Sequence, residues 1–184
     1  MKELSLNILD ITENSVKAGA TLTEITLFET EDTLTVTIKD DGCGMSEEIL
    51  ESVTNPFYTT RTTRSVGLGI PLFKLAAEQT GGKIEICSKI KSPGCDFYGT
   101  TVTALFYKSH IDFTPLGDII STVTTLIFGH PDTDFLYIHK KGDKEIRLDT
   151  RELRSVLEDV PLNSYEVIEW IRGYLSEQYT GFDF

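Results

Sequence analysis

Asp10, Asn14 and Lys17 follow one another at four and three residues. They lie in a stretch, residues 3 to 18, where Leu4, Ile8 and Ile11 recur at helical period. An ideal helix sets this carboxylate, amide and ammonium within roughly 60° of one another, on one face. Taken alone, the stripe also describes a solvated helix face. A second cluster is Asp40-Asp41-Gly42-Cys43-Gly44. Its glycines let backbone approach a flat ligand, and a carboxylate at a strand end can accept a hydrogen bond from an exocyclic amine. An ordinary Asp-Gly turn has the same residues. The third is Thr59-Thr60-Arg61-Thr62-Thr63-Arg64-Ser65-Val66-Gly67-Leu68-Gly69, where hydroxyls, guanidiniums and free amides precede a helix. That combination suits a polyphosphate.

The elements that must position these groups are legible in outline. Gly19 follows the first helix as a C-terminal cap. Leu22 to Phe28 and Leu34 to Lys39 read as paired strands, the second alternating Leu34, Val36 and Ile38 with Thr35, Thr37 and Lys39. One face of that sheet is expected to be covered. Ser46 is placed to cap a short helix at Glu47 to Val53. A helix from about Ile70 to Thr80 takes Pro71 in its first turn and ends at Gly81-Gly82. Lys83 to Ile90 and Gly99 to Tyr107 form another strand pair around Ser92-Pro93-Gly94.

Beyond a boundary near Lys108 to Pro115 the pattern changes. A helix near Asp118 to Phe128 is followed by strands at Phe135 to His139 and Glu145 to Leu148, turning at Lys140-Lys141-Gly142-Asp143, and then by two helices. Asn163 with Glu166 resembles a capping box for the last, along which Ile168, Ile171 and Leu175 form an apolar stripe. Trp170 and Ile171 are expected to pack in the core or between domains. His110, His130 and His139 read as ordinary loop or strand residues, because none lies in a helical acceptor motif.

The order of the three clusters is more specific than any one of them. An Asn-bearing helix, two strands, Asp-x-Gly-x-Gly, a lid-like loop with Gly-x-Gly before a helix, two further strands and then Gly99-Thr100 resemble the GHKL ATPases: DNA gyrase, heat-shock chaperones, histidine kinases and MutL. Asp10-Ile11-Thr12-Glu13-Asn14-Ser15 with Ala18-Gly19-Ala20-Thr21 is most similar to the MutL and gyrase box. Asn55-Pro56-Phe57-Tyr58-Thr59-Thr60-Arg61 and Gly67-Leu68-Gly69-Ile70 are most similar to histidine kinases. The resemblance covers residues 1–108; residues 109–184 read as an αββαα accessory region. It implies a two-layer α/β sandwich of the GHKL (Bergerat) type, with helices on one face of a mixed sheet, plus a small α/β C-terminal region.

The resemblance also implies roles, with ATP and Mg2+ as cofactors. Asn14 would hold the magnesium and Asp40 would accept the adenine amino group. Gly42 and Gly44 would shape the adenine pocket, and Thr100 would complete the adenine contact through water. Lys17, Thr60, Arg61 and Arg64 would lie near phosphate, with backbone amides from Gly67, Leu68 and Gly69. Asp10 stands where gyrase and MutL carry a glutamate base, one methylene shorter. The elements that usually precede the Asn helix are missing, and no histidine-bearing acceptor helix precedes a site that opens the chain. Phosphate is then expected to reach a protein substrate, as in the serine kinases that act as anti-sigma factors. An ATP-gated conformational switch and the catalytic half of a split histidine kinase are the alternatives.

Composition narrows the partners. The 184 residues carry 17 Lys and Arg against 29 Asp and Glu, a formal charge of −12. Both halves are acidic, so a nucleic-acid partner, which needs clustered cations, is not expected. No apolar run approaches the roughly 20 residues of a membrane span. Without a signal segment, and with three cysteines, Cys43, Cys87 and Cys95, that form no CxxC pair, the chain reads as cytoplasmic. A protein partner is expected, with a homodimer as one form of it.

Overall fold

The computed structural model describes residues 3–54, 69–92 and 98–182. Helix α1 (Leu4–Lys17) leads into the hairpin β1 (Leu22–Glu29) and β2 (Thr33–Asp40), followed by α2 (Glu47–Thr54) and α3 (Gly69–Gln79). A second hairpin, β3 (Lys83–Lys89) and β4 (Gly99–Tyr107), precedes α4 (Ile119–Gly129), β5 (Asp134–Lys141), β6 (Lys144–Asp149), α5 (Thr150–Leu157) and α6 (Tyr165–Thr180). All six strands form one sheet in the order β3-β4-β2-β1-β5-β6, parallel only between β1 and β5.

The helices form a second layer on one face. Helix α3 lies on β3 and β4, α1 on β1 and β2, α4 on β5 and α6 on β6, with α1 between α3 and α4. Strand alternation dictates this. Ile25 and Leu27 of β1, Val36 and Ile38 of β2, Val102 and Ala104 of β4 and Phe135 and Tyr137 of β5 are buried under the helices. On the opposite face Thr26, Thr37 and Thr103 stand side by side in register. The two-layer arrangement is the one the sequence suggests. Among the described residues no helix is long and apolar enough to cross a membrane.

Strands β5 and β6, beyond residue 109, are built into the same sheet. Strand β5 pairs along the whole of β1, from Leu22↔Asp134 to Glu29↔Lys141. The segment before α4 also completes the start of α1, whose first N–H groups have no partner within the helix. Leu4 N–H donates to Pro115 O at 2.9 Å and Ser5 N–H to Leu116 O at 2.8 Å. At the other end of α4, His130 Nε2 lies 2.7 Å from Glu13 Oε1, so both ends of α4 are tied to the helix that carries Asn14.

Two local expectations are corrected. Helix α6 starts one residue later than the Asn163–Glu166 spacing suggests. Ser164 is its N-cap, with no side-chain capping bond, and its hydroxyl is buried without a partner. Trp170 is not a core residue: it is 55% exposed, because Val167, Ile168, Ile171 and Leu175 already complete the buried stripe and Trp170 falls outside it.

Candidate functional site

Asp40 is the last residue of β2 and one of the inward-facing positions of that strand, so alternation buries it, at 7% exposure. A buried carboxylate requires donors, and Asp40 has three. Ser15 Oγ of α1 donates to Oδ2 at 2.8 Å, while Gly42 N–H and Thr100 N–H approach Oδ1 at 2.9 and 3.3 Å. Thr100 arrives there because β4 pairs with β2 in the register Asp40↔Thr100. Its hydroxyl is 2.8 Å from Ser88 Oγ, which also accepts from Met45 N–H at 2.8 Å.

The loop after Asp40 is packed so closely that only glycine fits. A Cβ on Gly42 would lie 2.9 Å from Ala18 Cβ. Gly44 has φ +70°, and a Cβ there would overlap the Lys89 carbonyl. The same segment is laced to its surroundings by Cys43 N–H to Ala18 O at 2.9 Å and Lys91 N–H to Cys43 O at 3.1 Å. A buried carboxylate beside close-packed glycine backbone can accept a hydrogen bond from the amino group of a flat heterocycle.

Asn14, one residue before Ser15, is half-buried on α1; Asp10 and Lys17 are exposed on the same helix. The start of α3 meets this face. A Cβ on Gly69 would stand 3.0 Å from Asp10 Cβ and 3.9 Å from Asn14 Nδ2. The first turn of α3, whose N–H groups lack partners within the helix, therefore abuts the Asp10–Asn14 stripe, which concentrates partial positive charge there. The structure thus brings Asp10, Asn14, Asp40, Gly42, Gly44, Gly69 and Thr100 around α1 and the end of β2. Lys17 sits on the last turn of α1, and Thr60, Arg61, Arg64, Gly67 and Leu68 lie outside the described residues.

Residues 2–110 match the family model described as histidine kinase-, DNA gyrase B- and HSP90-like ATPase. The chain belongs to this ATPase family. Among curated relatives of this ATPase-family chain, Sensor protein KdpD of Clostridium acetobutylicum is 33% identical over 94 residues, 48% of this chain and 10% of the relative. Sporulation kinase C of Bacillus subtilis is 28% identical over 89 residues, 48% of this chain and 20% of the relative. The chain spans no more than about a fifth of either relative's length. The solved MutL ATPase domain of Aquifex aeolicus, complexed with ADP, shares the fold at a TM-score of 0.54 and 14% identity, over 86% of this chain and 70% of that one.

Three residues beside these groups have roles that their local sequence pattern does not specify. Ser15 closes the asparagine box in the sequence, and its hydroxyl holds Asp40 in the structure. Asp41 faces away from Asp40 and clamps the turn before β1, accepting from Thr21 N–H at 2.7 Å, Leu22 N–H at 2.9 Å and the Thr21 hydroxyl. Burial opposes its ionisation, but these bonds, led by Leu22 N–H, outweigh it and hold the carboxyl below its usual range. Ser88 depends on the β3–β4 register, which no local pattern reveals.

Proposed function

We propose that this chain binds Mg-ATP between α1, the end of β2 and the start of α3, and passes the γ-phosphate to a protein partner. The observation that carries the reading is the buried Asp40 carboxylate, oriented by Gly42 and by Ser15, the residue after Asn14 on α1, with the start of α3 against Asp10 and Asn14. In this reading Asp40 accepts the adenine amino group, Gly42 and Gly44 shape the adenine pocket, and Thr100 supports the adenine edge. Lys17, the Gly69 amide and the loop residues Thr60, Arg61, Arg64, Gly67 and Leu68 neutralise the phosphates. Asp10 orients or deprotonates the attacking group.

The donor set suits magnesium. Among the described residues no three His, Cys, Asp or Glu side chains gather as a cage, and magnesium on a nucleotide needs none. It keeps waters and phosphate oxygens and takes one or two protein oxygens, here the Asn14 amide with Asp10 beside it. Bound there, it would spread the charge that develops on the transferring phosphoryl group. The proposed location is the cytoplasm, a reading supported by the free thiols of Cys43 and Cys87.

The deciding experiment follows the γ-phosphate. With γ-labelled ATP and a lysate of the source organism, label on a second protein supports transfer, and label appearing only as free phosphate overturns it. A second reading, an ATP-gated switch, draws support from the ties between α1 and both ends of α4, through which a shift of the Asn14 helix would reach residues 109–184. It expects a non-hydrolysable analogue to change hydrogen exchange in α4 or the mass of the particle, and unchanged exchange and mass would sink it.

A further inference from the structure

The outward face of α6 is an acidic and aromatic surface with a glycine at its centre. Residues four apart share a column on a helix, so Glu166, Trp170 and Tyr174 form one column and Glu169, Gly173 and Glu177 the next. All are exposed except Tyr174, which is half-buried. Tyr174 is fixed, because its hydroxyl donates to Arg147 O of β6 at 3.0 Å. Trp170 stacks on it with ring centroids 5.5 Å apart and planes 5° from parallel. The indole is therefore presented to solvent in one orientation, so a ligand need not order it.

Among the described residues nothing requires glycine at position 173. Gly173 lies in the interior of a 16-residue helix, where glycine is roughly 0.5–1 kcal/mol worse than alanine. A Cβ at that position would meet nothing within 4 Å. What glycine provides there is close approach of another backbone to the helix, beside an exposed tryptophan and between two carboxylates.

We propose that this face of α6 docks a basic segment of a partner protein, with Lys or Arg side chains flanking an apolar residue that enters the dip at Gly173. The charge pattern selects this occupant. Glu166, Glu169 and Glu177 face solvent with only Arg172 among them, itself 3.6 Å from Glu169. A second copy of the same face would set carboxylate against carboxylate, and phosphate-rich surfaces, whether nucleic acid or anionic lipid, would be repelled. A guanidinium or ammonium can instead lie on the free face of Trp170 while pairing with Glu166 or Glu177. Aromatic anchors of this kind carry a large share of binding energy at interfaces. The surface is independent of where the γ-phosphate goes.

Trp170 is the single tryptophan of the chain, so its emission reports on this face directly. The probe is a synthetic amphipathic helical peptide built from Lys and Leu, with an otherwise identical Glu-for-Lys peptide as its control. The lysine peptide is expected to give a saturable blue shift and the glutamate peptide none. In the Glu166→Lys/Glu177→Lys protein the midpoint should weaken by at least about tenfold. Gly173→Ala should raise the thermal midpoint of the protein alone and weaken the peptide, a pairing that damage to the fold does not produce. The proposal is overturned by no shift with the lysine peptide, by an equal shift with both peptides, by an unchanged midpoint in either variant, or by a shift that grows with protein concentration alone, which would mean self-association.

Discussion

Ser15 Oγ donates to Asp40 Oδ2 at 2.8 Å, joining α1 to the end of β2 across 25 residues of sequence. The bond does two things. It satisfies part of a carboxylate that alternation drives into the interior, and it ties the helix bearing Asn14 to the glycine loop that begins at Gly42. The two halves of the proposed nucleotide site are thereby held in register.

Ser15→Ala should therefore weaken nucleotide binding although Ser15 is assigned no contact with ATP. Hydrogen bonds to charged groups contribute about 1.5–3 kcal/mol, so a loss of roughly tenfold or more is expected in fluorescent-ATP titrations. Asp40→Asn should abolish binding, because an amide places a donor where Ser15, Gly42 and Thr100 already donate. Binding of the Asp40→Asn protein at wild-type strength would refute the adenine assignment.

Gly69→Val tests the approach of α3 to α1. Its Cβ would begin 3.0 Å from Asp10 Cβ, with further atoms forced into the same gap, so a stability loss of about 1–3 kcal/mol is expected. Triphosphate affinity should fall with it, read by urea unfolding and nucleotide titration. A stable variant with unchanged affinity would show that the two helices need not approach this closely.

Asp10→Asn keeps the shape of the face and removes the base. Nucleotide affinity should stay within about threefold, while turnover should drop by roughly a hundredfold or more if Asp10 takes a proton. Turnover at wild-type level would remove Asp10 from the catalytic role.

Asp118 caps α4, accepting from Ser121 N–H at 2.9 Å and from Ser121 Oγ at 2.7 Å. These bonds, led by the Ser121 N–H, hold its carboxyl below the usual range. Asp118→Ala should cost about 1 kcal/mol, as cap removals do, measured by chemical denaturation. An unaltered midpoint would mean that the Pro115–Leu116 contacts with α1 hold α4 without its cap.

Stability should also fall as the solution becomes mildly acidic. His139 is fully buried, with Nδ1 2.8 Å from Tyr179 Oη and Nε2 3.3 Å from Glu29 Oε2. Lys108 and Lys141 lie against Glu29, Tyr137 bonds Tyr179, and the Phe182 ring packs on the imidazole. Burial pushes the imidazole below its usual value, against the pull of Glu29. Below about pH 6.5 the unfolded chain takes up a proton that the folded chain resists, so stability is full above that value and declines as pH falls through the folded pKa. Thermal midpoints between about pH 8 and 5 should drop less steeply in His139→Gln than in wild type; equal slopes would contradict this origin.

The sequence alone determined the local half of this protein. Period and turn residues place the helices and hairpins to within a residue or two, because amphipathic spacing and Asp-Gly or Gly-Gly turns are local physics. The ordered clusters at Asp10–Asn14 and Asp40–Gly44 likewise announce the ATPase family. Tertiary structure alone decided what meets across the chain. Ser15 and Ser88 act on the site through long-range packing and strand register, and β5 extends the sheet beside β1 through residues far apart in sequence. It also decided which helical aromatic stays outside: Trp170 reads as core by type, but α6 can bury only one stripe, and Val167, Ile168, Ile171 and Leu175 fill it.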